Sequence, residues 1–379
     1  MALNKRGDIE KREEETLAGY AALSSRTRGR VYPQNEHPLR TAFQRDRDRI
    51  VHSAAFRRME YKTQVFLPHE GDHFRTRLTH TIEVAQISRT MARSLRLNED
   101  LTEAIALVHD VGHTPFGHIG EDVLNELLKN SGGFNHNRQS LRVVDILEQR
   151  YPEHPGLNLT YEVREGIVKH ETSVVIKHPD FDPDKKPTLE ASIVDIADEI
   201  AYNGHDIDDG INSGIIGLDE LKELSVWSRA ERNGLDNIVR HLDGDRKRYA
   251  LVRYLVNLMT TDALGETERR IENFGISDIE SLRNASEKIC RYSPELEPKV
   301  AELKKFLKEK LYRHIRLMGM HDRTKAIIET LFEEFKKEPS LMPPRFQEML
   351  MTERADIVIA DYIAGMTDRY AERQYEKLK

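Results

Sequence analysis

The sequence predicts an all-α protein, and three observations carry that prediction. From about residue 40 onward apolar residues recur at helical spacings of three and four. Runs of alternating β-branched residues are few, and helix-capping or helix-stopping residues stand where the periodicity begins and ends. Residues 1–36 read as a polar lead-in, 37–215 as a core, and 216–379 as a helical C-terminal region packed on that core. The chain has 379 residues, a length at which about 75% of the unfolded surface is buried on folding.

Each helix has its own signal. Around 79–97, His80, Val84, Ile87 and Met91 share one stripe, and Ile82, Ala85, Ala92 and Leu95 form another. A helix apolar on two sides is a buried one. Asn98 can cap the next helix, in which Leu101, Ala104, Ile105 and Val108 follow at i, i+3, i+4 and i+7. Gly112 and Pro115 stop it, so His109 and Asp110 fall in its last turn. An amphipathic helix is expected near 119–129 and another over 190–206. SGGFNHNRQS (131–140) and HPDFDPDKKP (178–187) are loops by composition. The C-terminal half predicts further helices at LKELSVWSRAERNGL, RYALVRYLVNLMTT, KVAELKKFLKEKLY and TKAIIETLFEEFKK.

Composition narrows the function. The single cysteine, Cys290, excludes an intramolecular disulfide framework and suits a reducing compartment. The N-terminus is charged throughout, and no stretch approaches the roughly 18 apolar residues of a membrane helix. A soluble, cytoplasmic protein without membrane contact is expected. A net charge of −7 argues against general nucleic-acid binding. Basic residues nevertheless cluster between Leu39 and Thr79, where Arg40, Arg45, Arg47, Arg49, Arg57, Arg58, Lys62, Arg75 and Arg77 stand. They form either a solvated helix face or a cradle for a multiply charged anion.

The chemistry concentrates in two stretches. HDVGHTPFGHIGED (109–122) gathers histidines and carboxylates where a helix should end. In ASIVDIADEIAYNGHD, the residues Asp195, Asp198, Tyr202 and Asp206 are separated by steps of 3, 4 and 4 and share one helix face. Apolar neighbours such as Ile193, Val194 and Ile200 make that helix buried, so a cation or a set of donors must meet its carboxylates. With His80 on a second helix and His109–Asp110 closing a third, imidazole and carboxylate converge in a manner suited to a divalent metal. Periodicity does not choose between Asp195 and Asp198.

Longer motifs carry a resemblance. RDRDRIVHSAAFRRMEYKTQVF (45–66), RTRLTHTIEV (75–84), HDVGHTPFGHIGED and DIADEIAYNGHDIDD (195–209) resemble, in the same order, the bacterial deoxyguanosinetriphosphate triphosphohydrolases. DYIAGMTDRYA (361–371) resembles the C-terminus of their shorter, dGTPase-like branch within the HD-domain phosphohydrolases. The resemblance implies an HD-domain helical fold with a helical C-terminal extension. It implies a metal held by His80, His109, Asp110 and Asp198, favouring Asp198 over Asp195. Mn²⁺ or Mg²⁺ is expected there, with Fe, Co, Ni or Zn as alternatives. His118 and Glu121 match a catalytic pair, and His113 stands beside them where some members have Asn. Gln64, Tyr202 and Asp206 match sugar contacts; Arg77 and Lys169 match phosphate contacts. At 169–170 the chain has Lys-His where those enzymes have Lys-Tyr.

The implied reaction cleaves a deoxynucleoside triphosphate to deoxynucleoside and tripolyphosphate. The same resemblance implies a homo-oligomer and a dNTP or single-strand DNA effector. Two other readings are another HD-domain nucleotide phosphohydrolase and a non-catalytic nucleotide- or single-strand-DNA-binding protein.

Overall fold

A computed structural model describes residues 3–64, 75–170, 176–227, 241–242, 244–312 and 314–378, with backbone alone at 315–320. Among these residues the chain is helical, and its extended pairings are isolated bridges such as Thr63 with Thr76. The all-α expectation holds.

Helix α1 (Arg6–Thr16) buries none of its residues, but the chain after it buries Ala18, Ala21, Ala22 and Ser24. The Glu190 carboxylate accepts the backbone N–H of Ala22 at 2.9 Å and of Asn98 at 3.1 Å. The end of the lead-in is thus fixed to the body. Helices α2 (Ala42–Val51) and α3 (Ala54–Arg58) follow, capped by the Thr41 and Ser53 side chains.

Helix α4 (Arg77–Ser94) starts at Thr76, whose side chain accepts from the N–H of Thr79. Its first apolar stripe is buried. In the second, Ile82 is 53% exposed, so one edge of α4 faces outward. Helix α5 (Glu99–Val108) is capped by Asn98, which accepts the Leu101 N–H at 3.1 Å, and ends at His109. Helix α6 (Gly117–Leu127) follows a sharp turn in which Phe116 and Gly117 both have left-handed backbone, with φ of 62° and 61°.

The segment expected to be a loop over 131–140 is corrected here, because α7 (His136–Arg142) begins inside it. The Asn135 side chain accepts from the N–H groups of Asn137 and Arg138, and this cap supports a helix despite a turn-like composition. Helix α8 (Tyr161–Val168) precedes the expected non-helical stretch at 178–187. Helix α9 (Leu189–Asn212) extends well past residue 206.

The C-terminal half contains α10 (Leu218–Lys222), α11 (Gly244–Asn273), α12 (Ile279–Arg283) and α13 (Glu297–Leu307). A π turn carries α13 on to Tyr312. Helices α14 (Ile315–Lys337), α15 (Pro344–Met349), α16 (Ala355–Ala364) and α17 (Asp368–Leu378) complete it. Of LKELSVWSRAERNGL, the part beyond residue 227 lies outside the described residues.

Helix α9 packs on α4, α5 and α11, and these helices with α13 enclose one apolar cluster that includes Val84, Ile105, Ile193, Ile200, Leu255 and Leu303. A second cluster joins α6 to α14 and α16 through Leu124, Ile328, Leu331, Phe335 and Ile363. Among the described residues no helix is long and apolar enough to cross a membrane.

The turn after α5 presses against α7. A Cβ added at Gly112 would lie 2.1 Å from the backbone N of Ser140 and 2.4 Å from the His136 carbonyl oxygen. Neither atom can yield without moving the helix. Gly112→Ala should therefore lose about 3 kcal/mol, the upper end of overpacking costs. Urea denaturation checks this; an unchanged midpoint would contradict the close approach.

Candidate active site

Helices α4, α5 and α9 bring the four expected ligands together. His80 Nε2 lies 2.8 Å from Asp198 Oδ1, and His109 Nε2 lies 3.8 Å from the same oxygen and 3.5 Å from Asp110 Oδ1. His80, His109 and Asp110 each offer a ligand atom within 4.8 Å of the others, and so do His109, His170 and Asp198.

The tautomers suit a cation. The ring Nδ1 of His109 lies 2.7 Å from the Ala106 carbonyl oxygen, to which it can only donate. Its Nε2 is then a buried lone pair, and it has no hydrogen-bond partner. The Nδ1 of His80 lies 3.0 Å from Nε2 of His205, leaving its other nitrogen for Asp198. Second partners of this kind orient metal-binding imidazoles.

Burial lowers the proton affinity of His109, which keeps it neutral. Burial opposes charge on Asp110 and Asp198, yet neighbouring groups hold both carboxyls well below the usual range. Asp110 has the His109 ring and the Arg77 guanidinium beside it, and Asp198 has hydrogen bonds from His170 and His80. Neutral His109 beside ionised carboxylates suits a divalent ion. At His80 burial lowers the proton affinity, but the hydrogen bond to Asp198 outweighs it and raises it, so an ion bound there must displace a proton.

A second cluster surrounds Glu121. His118 Nδ1 lies 3.6 Å from its carboxylate, with the His118 side chain 70% exposed. His136 Nδ1 lies 2.9 Å away and its backbone N–H donates at 2.9 Å. Buried His113 reaches Glu121 on one side at 3.8 Å and Asp110 on the other at 3.1 Å. The rings of His113 and His136 stack at 4.0 Å. Burial raises the cost of ionising Glu121, but the nearby His118 ring and the hydrogen bonds from His136 outweigh it and hold the carboxyl far below its ordinary value. Burial and the nearby charges of Arg77 and His136 hold His113 well below its own.

Both clusters open on one cavity of about 820 Å³. Gln64, Arg77, His80, Asp110, His113, His118, Asp198 and Tyr202 line it. Arg77 donates from Nη1 to Asp110 Oδ2 at 2.8 Å. Its Nε and Nη2 are buried without partners, as is Gln64 Oε1. Asp206 is fully buried behind the lining; it accepts the Tyr312 hydroxyl and stands 2.9 Å from His205 Nδ1.

Lys169 is not brought to the cavity. Its Nζ donates to Glu165 at 2.9 Å and to the Lys185 carbonyl at 2.7 Å. As the C-cap of α8 it points away from its neighbour His170, which does line the cavity. The basic stretch of residues 39–79 is also mostly diverted. Arg40, Arg45 and Arg47 pair with Asp48, Glu36 and Asp100, and Arg75 pairs with Glu83, Asp208 and Asp209. Of those nine residues only Arg77 lines the cavity. Lys305 and Lys308 line it instead, with Lys304, which donates to Glu199 at 2.9 Å, and with Tyr312 and His321.

Sequence reasoning missed these residues, although Lys304, Lys308 and Tyr312 recur every four positions, the spacing that singled out α9. It also missed His136, hidden in a segment read as loop, and left His170 without a role.

A model of the HD domain matches residues 77–203, and one of the phosphohydrolase-associated domain matches 290–377. A deoxyguanosinetriphosphate triphosphohydrolase-like protein of Thiobacillus denitrificans is 50% identical over 375 residues, 96% of this chain and 98% of its own. Relatives of the same description from Geobacter sulfurreducens and Bordetella pertussis are 48% and 46% identical, over 97% and 99% of this chain and 96% and 99% of their own lengths. The chain belongs to the deoxyguanosinetriphosphate triphosphohydrolase-like family. In this HD-domain hydrolase, the matched HD segment contains the whole His80–Asp198 cluster. The associated domain contributes the lysines and Tyr312, so the cavity is built by both.

Dialysed protein should take up Mn²⁺, and Asp110→Ala should lose that metal. His205→Ala should weaken binding about 10–100-fold, as loss of an outer partner does. Mass-spectrometric metal analysis reads both, and full metal content in Asp110→Ala would remove that residue from the ligand set.

Proposed function

We propose that this chain is a metal-dependent hydrolase that cleaves a deoxynucleoside triphosphate, such as dGTP, to deoxynucleoside and tripolyphosphate. The observation that carries the reading is the pair of unpartnered donors on buried Arg77, aimed into a cavity that also holds the His–Asp cluster. Unpaired guanidinium donors in a buried place call for an anionic ligand. Lys304, Lys305 and Lys308 face the same space and suit the several charges of a triphosphate. The names of the relatives agree with that substrate class.

In this reading His80, His109, Asp110 and Asp198 hold the ion, with His170 against His109 and Asp198. The ion, when bound, supplies Lewis-acid polarisation of the phosphate under attack. Arg77 neutralises and orients the phosphate chain. Tyr202, stacked parallel to Tyr312, and Gln64 face the sugar side. His118 is exposed to the cavity while Glu121 orients its ring. His118 takes a proton from the water that bonds to the α-phosphorus, or gives one to the 5′-oxygen as the Pα–O5′ bond breaks. His136 shares the Glu121 carboxylate, and neutral His113 stands between that cluster and Asp110.

Incubation with each of the four dNTPs and Mn²⁺ or Mg²⁺, followed by phosphorus NMR, should yield tripolyphosphate. Pyrophosphate or inorganic phosphate would instead indicate another HD-domain nucleotide phosphohydrolase, and no product a binding protein. His118→Ala should slow turnover by about 10²–10⁴-fold with metal retained; unchanged turnover would remove His118 from the mechanism.

A further inference from the structure

The closing motif DYIAGMTDRYA takes no part in the chemistry above, yet its two interior carboxylates are among the least exposed in the chain. Asp361 is 2% and Asp368 3% exposed. Asp368 Oδ1 accepts the N–H of Phe116 at 2.8 Å, immediately before the left-handed turn that launches His118. Its Oδ2 accepts the N–H of Thr63 at 2.8 Å and the Thr63 hydroxyl, beside Gln64. Between the two carboxylates, the Ala364 carbonyl accepts the buried ammonium of Lys62 at 2.8 Å, and the same ammonium donates to the His113 carbonyl. Asp361 accepts Gln139 Nε2 at 3.0 Å and Arg142 Nε at 2.8 Å, both from α7, the helix that begins with His136.

One short segment, the end of α16 and the start of α17, therefore grips each piece of chain that carries an imidazole of the Glu121 cluster. The metal-end residues His80, His109 and Asp198 sit on α4, α5 and α9, whose mutual packing does not pass through it. A buried carboxylate that accepts several donors holds them in narrow geometry, because each donor left unmatched would carry the full cost of desolvation.

We infer that residues 361–368 form a brace, with Asp368 and Asp361 as positioning residues that set the His113–His118 turn and the His136 helix at their working separation around Glu121. The inference rests on the hydrolase reading above and adds a division of labour. The HD segment holds the metal, and the C-terminal segment holds the proton-transferring imidazoles in line with it.

The test uses the full chain with Asp368→Ala, Asp368→Asn and Asp361→Asn. Misplacement of about 1 Å at a reacting group costs about 10²-fold. Asp368→Ala should thus lose about that factor in kcat, with KM and bound Mn²⁺ retained. Asp368→Asn keeps one acceptor oxygen and should lose less; it also decides the matter if the alanine variant does not fold. In ring-¹⁵N-histidine spectra of the metal-free protein, His113 and His118 should shift in Asp368→Ala and His136 in Asp361→Asn, while His80 and His109 stay. Unchanged kcat, or a kcat loss matched by loss of metal, would overturn the brace. Should the wild-type chain hydrolyse no dNTP, the functional reading falls by itself, and the spectra still judge the brace: three unmoved resonances overturn it.

Discussion

His109, Asp110 and Asp198 present acceptor atoms to one another beside His80 where α4, α5 and α9 cross, and such a gathering repels itself unless a proton or a cation lies among its members. Desolvation sharpens the demand, since His80, His109 and Asp110 are nearly inaccessible. The surroundings are arranged to meet it in part. Ala106 and His205 occupy the outward nitrogens of the two rings, and Arg77 occupies one oxygen of Asp110. What remains unsatisfied points inward, at a place fit for a divalent ion.

Arg77 shows how one side chain joins the two halves of the site. It neutralises Asp110 with one nitrogen and leaves two others unmatched toward the cavity. Its neighbours in sequence are used differently. Arg75 is taken by carboxylates at the far end of α9, and Lys62 is buried against backbone carbonyls. Lys62 is charged at a cost: burial, with the nearby charges of Arg58 and Arg77, brings its ammonium down to about 7. A basic run in sequence is thus dispersed into structural pairs, and the cavity recovers its charge from α13, more than two hundred residues away.

The amount of the site legible from sequence followed from where the residues lie. Helical spacing placed Asp195, Asp198, Tyr202 and Asp206 on one face, because that geometry is local and every α-helix repeats it. The cap at Asn98 and the end of α5 at His109 were legible for the same reason. His136 was not, because the composition around it is that of a turn, and only the Asn135 cap with the packing of Gly112 on Ser140 makes it helical. Lys169 was misdirected by resemblance. The last turn of α8 aims it at Glu165, which Arg283 also engages from α12.

By itself the sequence determined the helical class, the burial of α4, α5 and α9, and the residue types able to hold an ion, since these depend on periodicity and local chemistry. Only the tertiary structure decided which of the two aspartates, Asp195 or Asp198, faces His80, which lysines reach the cavity, and that the C-terminal carboxylates are tied to the turn before His118. Those outcomes depend on the angles at which distant helices meet, and helix-crossing angles leave no periodic trace in the chain.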